Sequence, residues 1–559
     1  MSQNKKYELD RRDFLKQLLV GTGIGSSGLL NAFLTNMMAN MFQSATAHAA
    51  GEEAAFQDFK LISLILAGGA PRYYWDLPIN PNGASDKIVA NPMVVNRFRK
   101  NSNGTFTPYY ATTQVGGFSM PHIWSANIPT TFGVAPMKNL AQNMLIMRGI
   151  DLQIDSHEID RDRQVAPVPG GISLTGLVAD QASSPIPAVG RNGGGNYYKG
   201  EKGIAYVNLA GGNPFSVALN PFTPLDSMAS INNGQVERAI DNALKSMSQA
   251  SADKGKYLPS TFATRFNAKK MMMKKFGSLQ DSYTILRKKY LDLISRAFAA
   301  EGNLGLVGVD DHAIAADGTP SFRVQENEFF TGSDIRTFTD EKTGISELAE
   351  SMAIAEFMAM EGLSSSINVV SGNFLQTLYQ QSYNPTTKAI RTNARVNHTM
   401  DVHFTGAHLA TILFSRYYRA VSACLYELIL QLNSKGIGGG RTLFDKTVIA
   451  VNSEFNRLPR MDASGADHGW RGSNYTLFSG MVPGLTIAGN VHTNGDSRGT
   501  WGHGAPLTEL GGREAIIGNA ASTVASLLEI KTPTPNDQSF VYKENGKAKL
   551  SIKSLKNVA

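Results

Sequence analysis

Four polar segments of the chain concentrate the side chains that bind metals or move protons. Three of the ten histidines fall within the eleven residues from His398 to His408. Neutral imidazole nitrogens and carboxylate oxygens form the ligand sets of hydrolytic zinc, manganese and iron sites. These residue types therefore predict a divalent metal site. The candidate ligands are Asp76, His157, Asp401, His403, Glu454, Asp467 and His468.

Within the histidine-rich segment, Asp401 and His403 form the strongest candidate pair. A D-x-H sequence in a loop can place both side-chain ends on one ion. His398 and His408 could equally hold the ligands in place or have a structural role. For any single histidine, a surface or hydrogen-bonded core position is the commoner alternative, so the prediction depends on several segments meeting at one place.

Each candidate segment follows an apolar run that is typical of a buried strand. These runs lie at 59–69, at 143–150, near 367–370 and at 447–451. Apolar residues at helical spacing over 345–359 and in a longer helix before 436 separate the later strands. Strands alternating with helices predict an α/β fold, a mostly parallel sheet flanked by helices on both faces. Since the carboxyl ends of parallel strands meet at one edge, the candidate segments are expected to converge there.

The middle of the chain lacks this alternation. Residues 190–335 contain a Gly-rich loop and then a helical stretch at about 235–300 without strand partners, which predicts a largely helical insertion or cap over the sheet. The basic run at 268–277 is typical of a solvated helix face. GIGGGR at 436–441 follows a helix and precedes a strand, the reverse of a dinucleotide-binding loop, so it is predicted to be a helix end and a turn.

The first 49 residues have the pattern of a twin-arginine export signal. Arg11 and Arg12 precede a modestly apolar stretch at 18–41, and the small residues AHA at 47–49 offer a cleavage site. Polar residues interrupt the apolar stretch, whereas a permanent membrane span needs about 20 apolar residues. The chain is therefore predicted to be a partner of the twin-arginine translocase, to be periplasmic or secreted, and to have no permanent membrane span.

Composition is that of a soluble globular protein, with 42% hydrophobic and 18% charged residues. The net charge of +7 falls to +5 without the predicted signal, because that segment has five basic and three acidic residues, and so mild a surplus gives no indication of nucleic-acid binding. The single cysteine, Cys424, excludes an intrachain disulfide and a thiolate zinc site, and its apolar surroundings predict a buried position. We expect one main domain at 50–535 with the insertion inside it, and a C-terminal tail at 536–559.

Several of these motifs together resemble a known family of exported bacterial proteins. After the twin-arginine start come LILAGG, DSHEID, MDVHFTGAH, NSEFNR, ADHGW and TVASLLEIKTP. They occur in the order found in the domain-of-unknown-function family fifteen-oh-one, which looks like a branch of the alkaline phosphatase and sulfatase superfamily. The resemblance runs from about 10 to 535, is most specific at 345–490 and is weak at 190–335.

Matching the family motifs residue by residue gives four correspondences. SEFGR falls on 453–457, DHG on 467–469, D-T-H on 401–403 and S-H-F on 156–158. One departure is that Ala70 and Pro71 stand where the family usually has an acidic residue after the first Gly pair. Either Asp76 substitutes for that acid or a metal position is lost.

The resemblance implies an alkaline-phosphatase-like fold and an exported metal-dependent hydrolase of phosphate or sulfate esters, with one or two divalent ions, zinc or manganese. Bound cations neutralise an anionic ester and lower the pKa of a hydroxyl or water. Ser156 is the candidate nucleophile, with an activated water and an ordinary turn role for this serine as the alternatives. Arg457, together with Arg148, Arg161 and Arg163, is a candidate to bind the small anionic substrate, with surface solvation as the alternative.

A second class of function stays open on the sequence alone. The chain could keep the same fold and act as an exported binding or assembly protein without turnover. The missing early acid and the large insertion favour this alternative, whereas the DVH and ADHGW segments favour chemistry.

Overall fold

The structure is a computed structural model. It describes residues 56–78, 93–100, 102, 106–153, 156–184, 188–191, 198–201, 207–209, 282–298, 328–329, 345–372, 376–383, 386–387, 390–398, 400–403, 405–460, 465–470, 472–493 and 501–555. The predicted signal with Arg11 and Arg12 and the basic run at 268–277 lie outside the described residues. Within those ranges, no helix combines the length and the apolar character needed to cross a membrane.

A nine-stranded sheet forms the centre of the fold. Its strands in chain order are β1 (Lys60–Leu66), β2 (Asn143–Asp151), β3 (Ala188–Gly190), β4 (Val207–Asn208), β5 (Ser366–Val370), β6 (Thr447–Ser453), β7 (Ser473–Phe478), β8 (Gly484–Ala488) and β9 (Ala515–Ile516). Their order across the sheet is β4-β3-β5-β1-β6-β7-β2-β8, with β9 paired to the carboxyl end of β2. The sequence predicted β1, β2, β5 and β6, and the structure confirms all four.

The sheet is mixed in direction. Strand β7 runs antiparallel to both neighbours, β6 and β2, whereas β1 pairs in parallel with β5 and β6. The predicted α/β class is therefore confirmed, and the sheet is mixed rather than wholly parallel because β7 alone runs against its other strands. The chain between β6 and β7 forms an antiparallel strand pair, Asn456–Pro459 with Ala466–Trp470. Parallel neighbours usually need a helical crossover, which this connection does not supply.

Helices cover both faces of the sheet. They are α1 (His157–Arg163), α2 (Leu174–Gln181), α3 (282–298), α4 (Ile345–Met360), α5 (Ala407–Ser434) and α6 (Ile517–Leu528). On β1, Leu61 packs in a core with α2 and α6, while Ile62 and Leu64 pack in a second core with α4 and α5. Successive side chains of a strand point to opposite faces, so the fully buried β1 needs both covers.

Shorter elements surround this sheet. Antiparallel strand pairs outside it are Arg97–Lys100 with Phe106–Tyr109, Thr112–Val115 with Phe118–Pro121, Asn127–Thr130 with Gly133–Pro136, Val491–Thr493 with Trp501–Gly504, and Val541–Glu544 with Lys547–Leu550. A three-stranded sheet contains Glu328–Phe329, Gln376–Tyr383 and Ile390–His398. Single 3-10 turns are Arg72–Tyr74, His122–Ser125, Met137–Gln142, Leu443–Lys446 and Thr508–Leu510.

Two local predictions are confirmed and one is corrected. GIGGGR is a turn after α5, with Gly438, Gly439 and Gly440 at positive φ, and Cys424 is buried. The segment predicted as a C-terminal tail instead forms the hairpin Val541–Glu544 with Lys547–Leu550 and packs Phe540 in the core with α6. Burial of apolar side chains on α6 makes this segment part of the fold.

The insertion predicted at 190–335 is described only in part. Helix α3 lies within it, and its Tyr290, Leu293 and Ile294 are buried in the core shared with α4 and α5. This helix is therefore packed into the main body rather than projecting from it.

Candidate metal centre

The predicted site segments meet at the edge of the sheet where β1, β2 and β6 end. Strand β1 leads to the Gly68–Gly69 pair, β2 leads towards His157 at the start of α1, and β6 leads directly to Glu454. Two antiparallel steps through β7 give β2 the same direction as β6, so the three carboxyl ends share one edge. Asp401 follows the strand Ile390–His398, and His468 lies in the strand Ala466–Trp470.

The Gly68–Gly69 pair makes the close approach of these segments possible. Both residues have positive φ, at 75° and 62°. A Cβ on Gly68 would lie 2.8 Å from the backbone nitrogen of Asp401, and one on Gly69 would lie 2.3 Å from the ring of Phe455. Only glycine tolerates both the left-handed conformation and this crowding. The motif after β1 is therefore required by backbone geometry.

Three of the candidate ligands form one compact group: His157, Asp401 and His468. One ligand atom from each lies within 4.8 Å of the others, and all three side chains are partly exposed to solvent. His157 Nε2 lies 3.5 Å from Asp401 Oδ2. Two imidazoles and one carboxylate match the donor set that zinc and manganese take in proteins. The residues therefore fit a divalent cation.

Aromatic rings hold the two imidazoles in place. The centroid of the His468 ring lies 4.2 Å from that of Phe455, 4.8 Å from that of His157 and 4.7 Å from that of His403. The ring of Phe455 also lies 4.8 Å from His157. Packing of this kind restricts ring rotation and so pre-orients the nitrogen atoms.

Glu454 lies beneath the group and is fully buried. Its Oε2 is 2.6 Å from His157 Nδ1 and accepts a hydrogen bond of 2.9 Å from the Gly68 backbone N–H. Its Oε1 accepts hydrogen bonds from the Arg161 guanidinium, one of them at 3.1 Å from Nε. Both oxygens therefore contact protein groups, and the carboxylate touches the group of three through His157.

His403 and Asp467 form a second layer beside the group. His403 Nε2 lies 3.3 Å from Asp401 Oδ1, and its Nδ1 lies 3.2 Å from Asp467 Oδ1. Asp467 also accepts two hydrogen bonds from Arg460, at 2.9 Å from Nε and 2.5 Å from Nη2. The predicted Asp401–His403 pair is thus in contact, with His403 bridging two carboxylates.

The structure gives Arg457 a structural position rather than a substrate-facing one. Its side chain has 0% exposure, and Nη2 donates to Gly68 O at 2.7 Å and to Asp401 Oδ1 at 2.5 Å. Nη1 donates to Ala466 O at 3.1 Å. The proposed contact with an anionic substrate is therefore corrected: Arg457 ties the segments together and neutralises Asp401. Arg148 is likewise buried and donates to backbone carbonyls of Pro78 and Gly489.

Asp76 is also placed differently from the prediction. It is fully buried, and its carboxylate accepts a 2.7 Å hydrogen bond from Arg72 Nε and a hydrogen bond from Thr476 Oγ1. Arg72 is only four residues away, on the neighbouring 3-10 turn, so the short spacing forms an internal ion pair. Asp76 therefore does not replace the acidic residue that is missing after the Gly pair, because its carboxylate does not reach the group of three.

Ser156 is the residue immediately before α1 and is half-buried. Its backbone N–H donates to Asp160 Oδ2 at 3.0 Å, and its hydroxyl makes no capping hydrogen bond to the helix. The serine lies next to His157 in the chain. Its neighbour Asp155 lies outside the described residues.

Electrostatics keep this cluster ionised. Contacts with Asp401 and Glu454 raise the pKa of His157 to about 9. Burial opposes ionisation of Asp401 and Glu454, but the contact with His157 and the charges of Arg457 and Arg161 outweigh it, so the pKa of each carboxyl lies below its ordinary value. The hydrogen bonds from Arg460 do the same for the pKa of Asp467.

Sequence reasoning did not single out Phe455 and Arg460. Both lie in the segment SEFNRLPR, which contains the predicted site residues Glu454 and Arg457. Arg460 faces Asp467 because the strands Asn456–Pro459 and Ala466–Trp470 pair. An arginine three residues after Arg457 was the available signal. The strand pairing that uses it was not visible in the sequence.

Comparison of the chain with protein-family models, with curated proteins and with solved structures found no match.

Proposed function

We propose that this protein is an exported metal-dependent hydrolase of phosphate or sulfate esters, with an alkaline-phosphatase-like fold, similar to the domain-of-unknown-function family fifteen-oh-one. The observation that carries the proposal is the convergence of His157, Asp401 and His468 to within 4.8 Å. These residues come from three distant parts of the chain, and they meet at the carboxyl edge of an α/β sheet, where such folds place their active sites. The export signal that we propose at 1–49 lies outside the described residues.

Charge balance supports an anionic substrate. Three carboxylates, those of Asp401, Glu454 and Asp467, are each paired with one guanidinium, from Arg457, Arg161 and Arg460 respectively. With neutral imidazoles this cluster has no net charge, so one divalent cation would make it doubly positive. A bound divalent cation would neutralise the ester and favour attack on it. A cluster of this sign attracts phosphate or sulfate esters rather than neutral ones.

The chain's own residues have distinct parts in this proposal. His157, Asp401 and His468 would hold zinc or manganese, and the partly exposed Arg161 and Arg460 would face the substrate anion from the rim. We propose the Ser156 hydroxyl as the nucleophile, because it lies at the start of α1 directly before His157. On attack at phosphorus or sulfur this hydroxyl would give up its proton to water, and the alcohol of the ester would leave with a proton from water.

One observation favours the alternative, an exported binding or assembly protein without turnover. Each of the carboxylates of Asp401, Glu454 and Asp467 is already paired with an arginine. Their negative charges are therefore balanced without a bound cation. Such a cluster could serve only to hold loops together at a binding surface.

Elemental analysis of the protein purified without chelators, combined with a screen of p-nitrophenyl phosphate and sulfate, separates the two functions. We expect stoichiometric metal, hydrolysis that is lost with chelator and restored by zinc or manganese, and loss of turnover in Ser156→Ala with metal retained. Metal without turnover of any ester would favour the binding protein. If the protein holds no metal and its melting temperature is indifferent to chelator and to added cations, the hydrolase proposal fails.

A further inference from the structure

The contacts of Glu454 separate it from the three residues of the metal group. Its side chain has 0% exposure, whereas that of His157 is 33% exposed and that of Asp401 is 36% exposed. A group that binds an ion entering from solvent must present an oxygen towards that ion. Both oxygens of Glu454 point instead at protein donors, Gly68 and Arg161 among them.

The 2.6 Å contact between Glu454 Oε2 and His157 Nδ1 determines how the imidazole is used. A carboxylate accepts the proton on one ring nitrogen, and the other nitrogen is then available to a metal. In this structure the other nitrogen, Nε2, lies on the side of Asp401, 3.5 Å from Oδ2. Glu454 therefore orients the ring so that Nε2 of His157 faces Asp401, another member of the group of three.

The position of Glu454 is itself firmly held. It follows the central strand β6, the Gly68 N–H donates to it at 2.9 Å, and Arg161 supplies the compensating positive charge. Recruiting this carboxylate as a ligand would break these hydrogen bonds and leave Arg161 without its acceptor, at a cost typical of a buried charged group.

We propose that Glu454 is a positioning residue, which strengthens metal binding by orienting His157 and does not itself bind the cation. This inference depends on the proposed metal-binding function and replaces the sequence-based expectation that Glu454 is a ligand. Partners of this kind change metal affinity by about 10- to 100-fold when they are removed.

The test is a double-mutant cycle read out as zinc affinity of the full-length mature protein. We expect Glu454→Gln to weaken zinc binding about 10- to 100-fold with one zinc still bound, and His157→Ala to weaken it more. Because Glu454 acts through His157, adding Glu454→Gln to His157→Ala should change the affinity less than about threefold. Losses that add in full would show that Glu454 contacts the metal independently, and would overturn the inference.

A second measurement covers the case in which Glu454→Gln does not fold. In a crystal structure of the zinc-loaded wild type, Glu454 is expected to remain within hydrogen-bond distance of His157 Nδ1. A Glu454 oxygen at about 2.0–2.2 Å from zinc, the ordinary ligand distance, would overturn the inference.

These outcomes are distinguishable from failure of the proposed function. Zinc binding with the expected coupling but no ester hydrolysis would remove the hydrolase and leave the role of Glu454 intact. Full additivity with hydrolysis intact would overturn the role of Glu454 and leave the hydrolase function in place. A wild type that binds no zinc would overturn both proposals.

Discussion

At the scale of single residues, the two nitrogens of the His157 ring face two different carboxylates. Nδ1 contacts Glu454 and Nε2 faces Asp401, and the pKa of His157 is raised to about 9 as a result. A raised pKa means that the protonated ring stabilises the folded protein at pH values below its ordinary pKa. That contribution is lost as the pH rises through about 9. A cation at Nε2 must displace this proton.

We therefore predict that zinc binding at pH 7 releases about one proton from His157, and that the release falls towards zero above pH 9. The measurement is isothermal titration calorimetry in two buffers with different ionisation enthalpies, repeated at pH 7 and pH 10. If the number of protons released is the same at the two pH values, the metal does not displace the proton of His157.

For His468→Ala we predict a loss of zinc affinity of more than about 100-fold with a small change in the free energy of unfolding, about 1 kcal/mol. The residue lies on the short strand Ala466–Trp470 outside the main sheet, so its removal leaves the core intact. Glu158→Ala, an exposed position on α1, is the matched control and should change neither quantity. Equal losses in the two variants would contradict the assignment of His468 as a ligand.

Which residue types form the site could be predicted, but not all of their partners. Imidazoles and carboxylates placed just after predicted strands were sufficient to indicate that Asp401 and His468 meet. The separate ion pair of Asp76 with Arg72 depends on a 3-10 turn, and the role of Glu454 depends on which ring nitrogen it contacts. Neither is encoded in spacing alone.

At the scale of elements, the turn that ends β1 is the tightest constraint on the site. The Gly68 N–H donates to Glu454, and the Gly68 carbonyl accepts from Arg457, which also donates to Asp401, so one residue connects Glu454 to Asp401. Its φ is 75°, and a Cβ at this position would lie 2.8 Å from the backbone nitrogen of Asp401. The site therefore has no room for a side chain here.

We predict that Gly68→Ala lowers the free energy of unfolding by roughly 3 kcal/mol and also weakens zinc binding, because it adds left-handed strain to a steric clash beside Asp401. Gly439→Ala is the matched control: its φ is 61°, and nothing lies within 4 Å of the added Cβ. It should cost only about 1–2 kcal/mol and leave zinc affinity unchanged. Chemical denaturation and calorimetry check both variants, and equal costs would show that crowding at Gly68 is unimportant.

Helices and strands could be predicted where a local sequence pattern determines them. They could not be predicted where the direction of a strand depends on its pairing with a distant segment. Strand β1 and helix α4 follow from apolar runs and helical spacing. The direction of β7 depends on the connection from β6, which no periodicity reveals. The C-terminal hairpin did carry a local signal: Asn545 and Gly546, both at positive φ, form the kind of turn that joins two antiparallel strands.

At the scale of the whole molecule, one buried ion bridge joins helix α3 to the rest of the core. Lys289 Nζ contacts Glu356 of α4 at 2.6 Å and Glu427 of α5 at 3.4 Å. The two glutamates have side-chain exposures of 5% and 1%. Burial raises the pKa of Glu356, whereas Lys289 outweighs burial at Glu427 and lowers its pKa. A single cation thus compensates two buried acids on two helices.

We predict that Lys289→Met lowers the free energy of unfolding at pH 8 by about 3–5 kcal/mol, because two carboxylates lose their compensating cation while remaining buried. The deficit should shrink at pH 5, since a buried carboxyl with a raised pKa can take up a proton and become neutral. Urea unfolding at both pH values measures this, and amide hydrogen exchange should show the largest loss of protection in α3.

Lys288→Met is the control for this prediction, because Lys288 is exposed on the same helix. It removes the same charge and introduces the same side chain, yet it leaves Glu356 and Glu427 paired, so its effect should stay within about 0.5 kcal/mol at either pH. If both variants lose the same stability, or if the Lys289→Met deficit does not depend on pH, then the Lys289 bridge contributes little to holding α3. In that case Tyr290, Leu293 and Ile294, and not the ion bridge, attach this part of the insertion to the core.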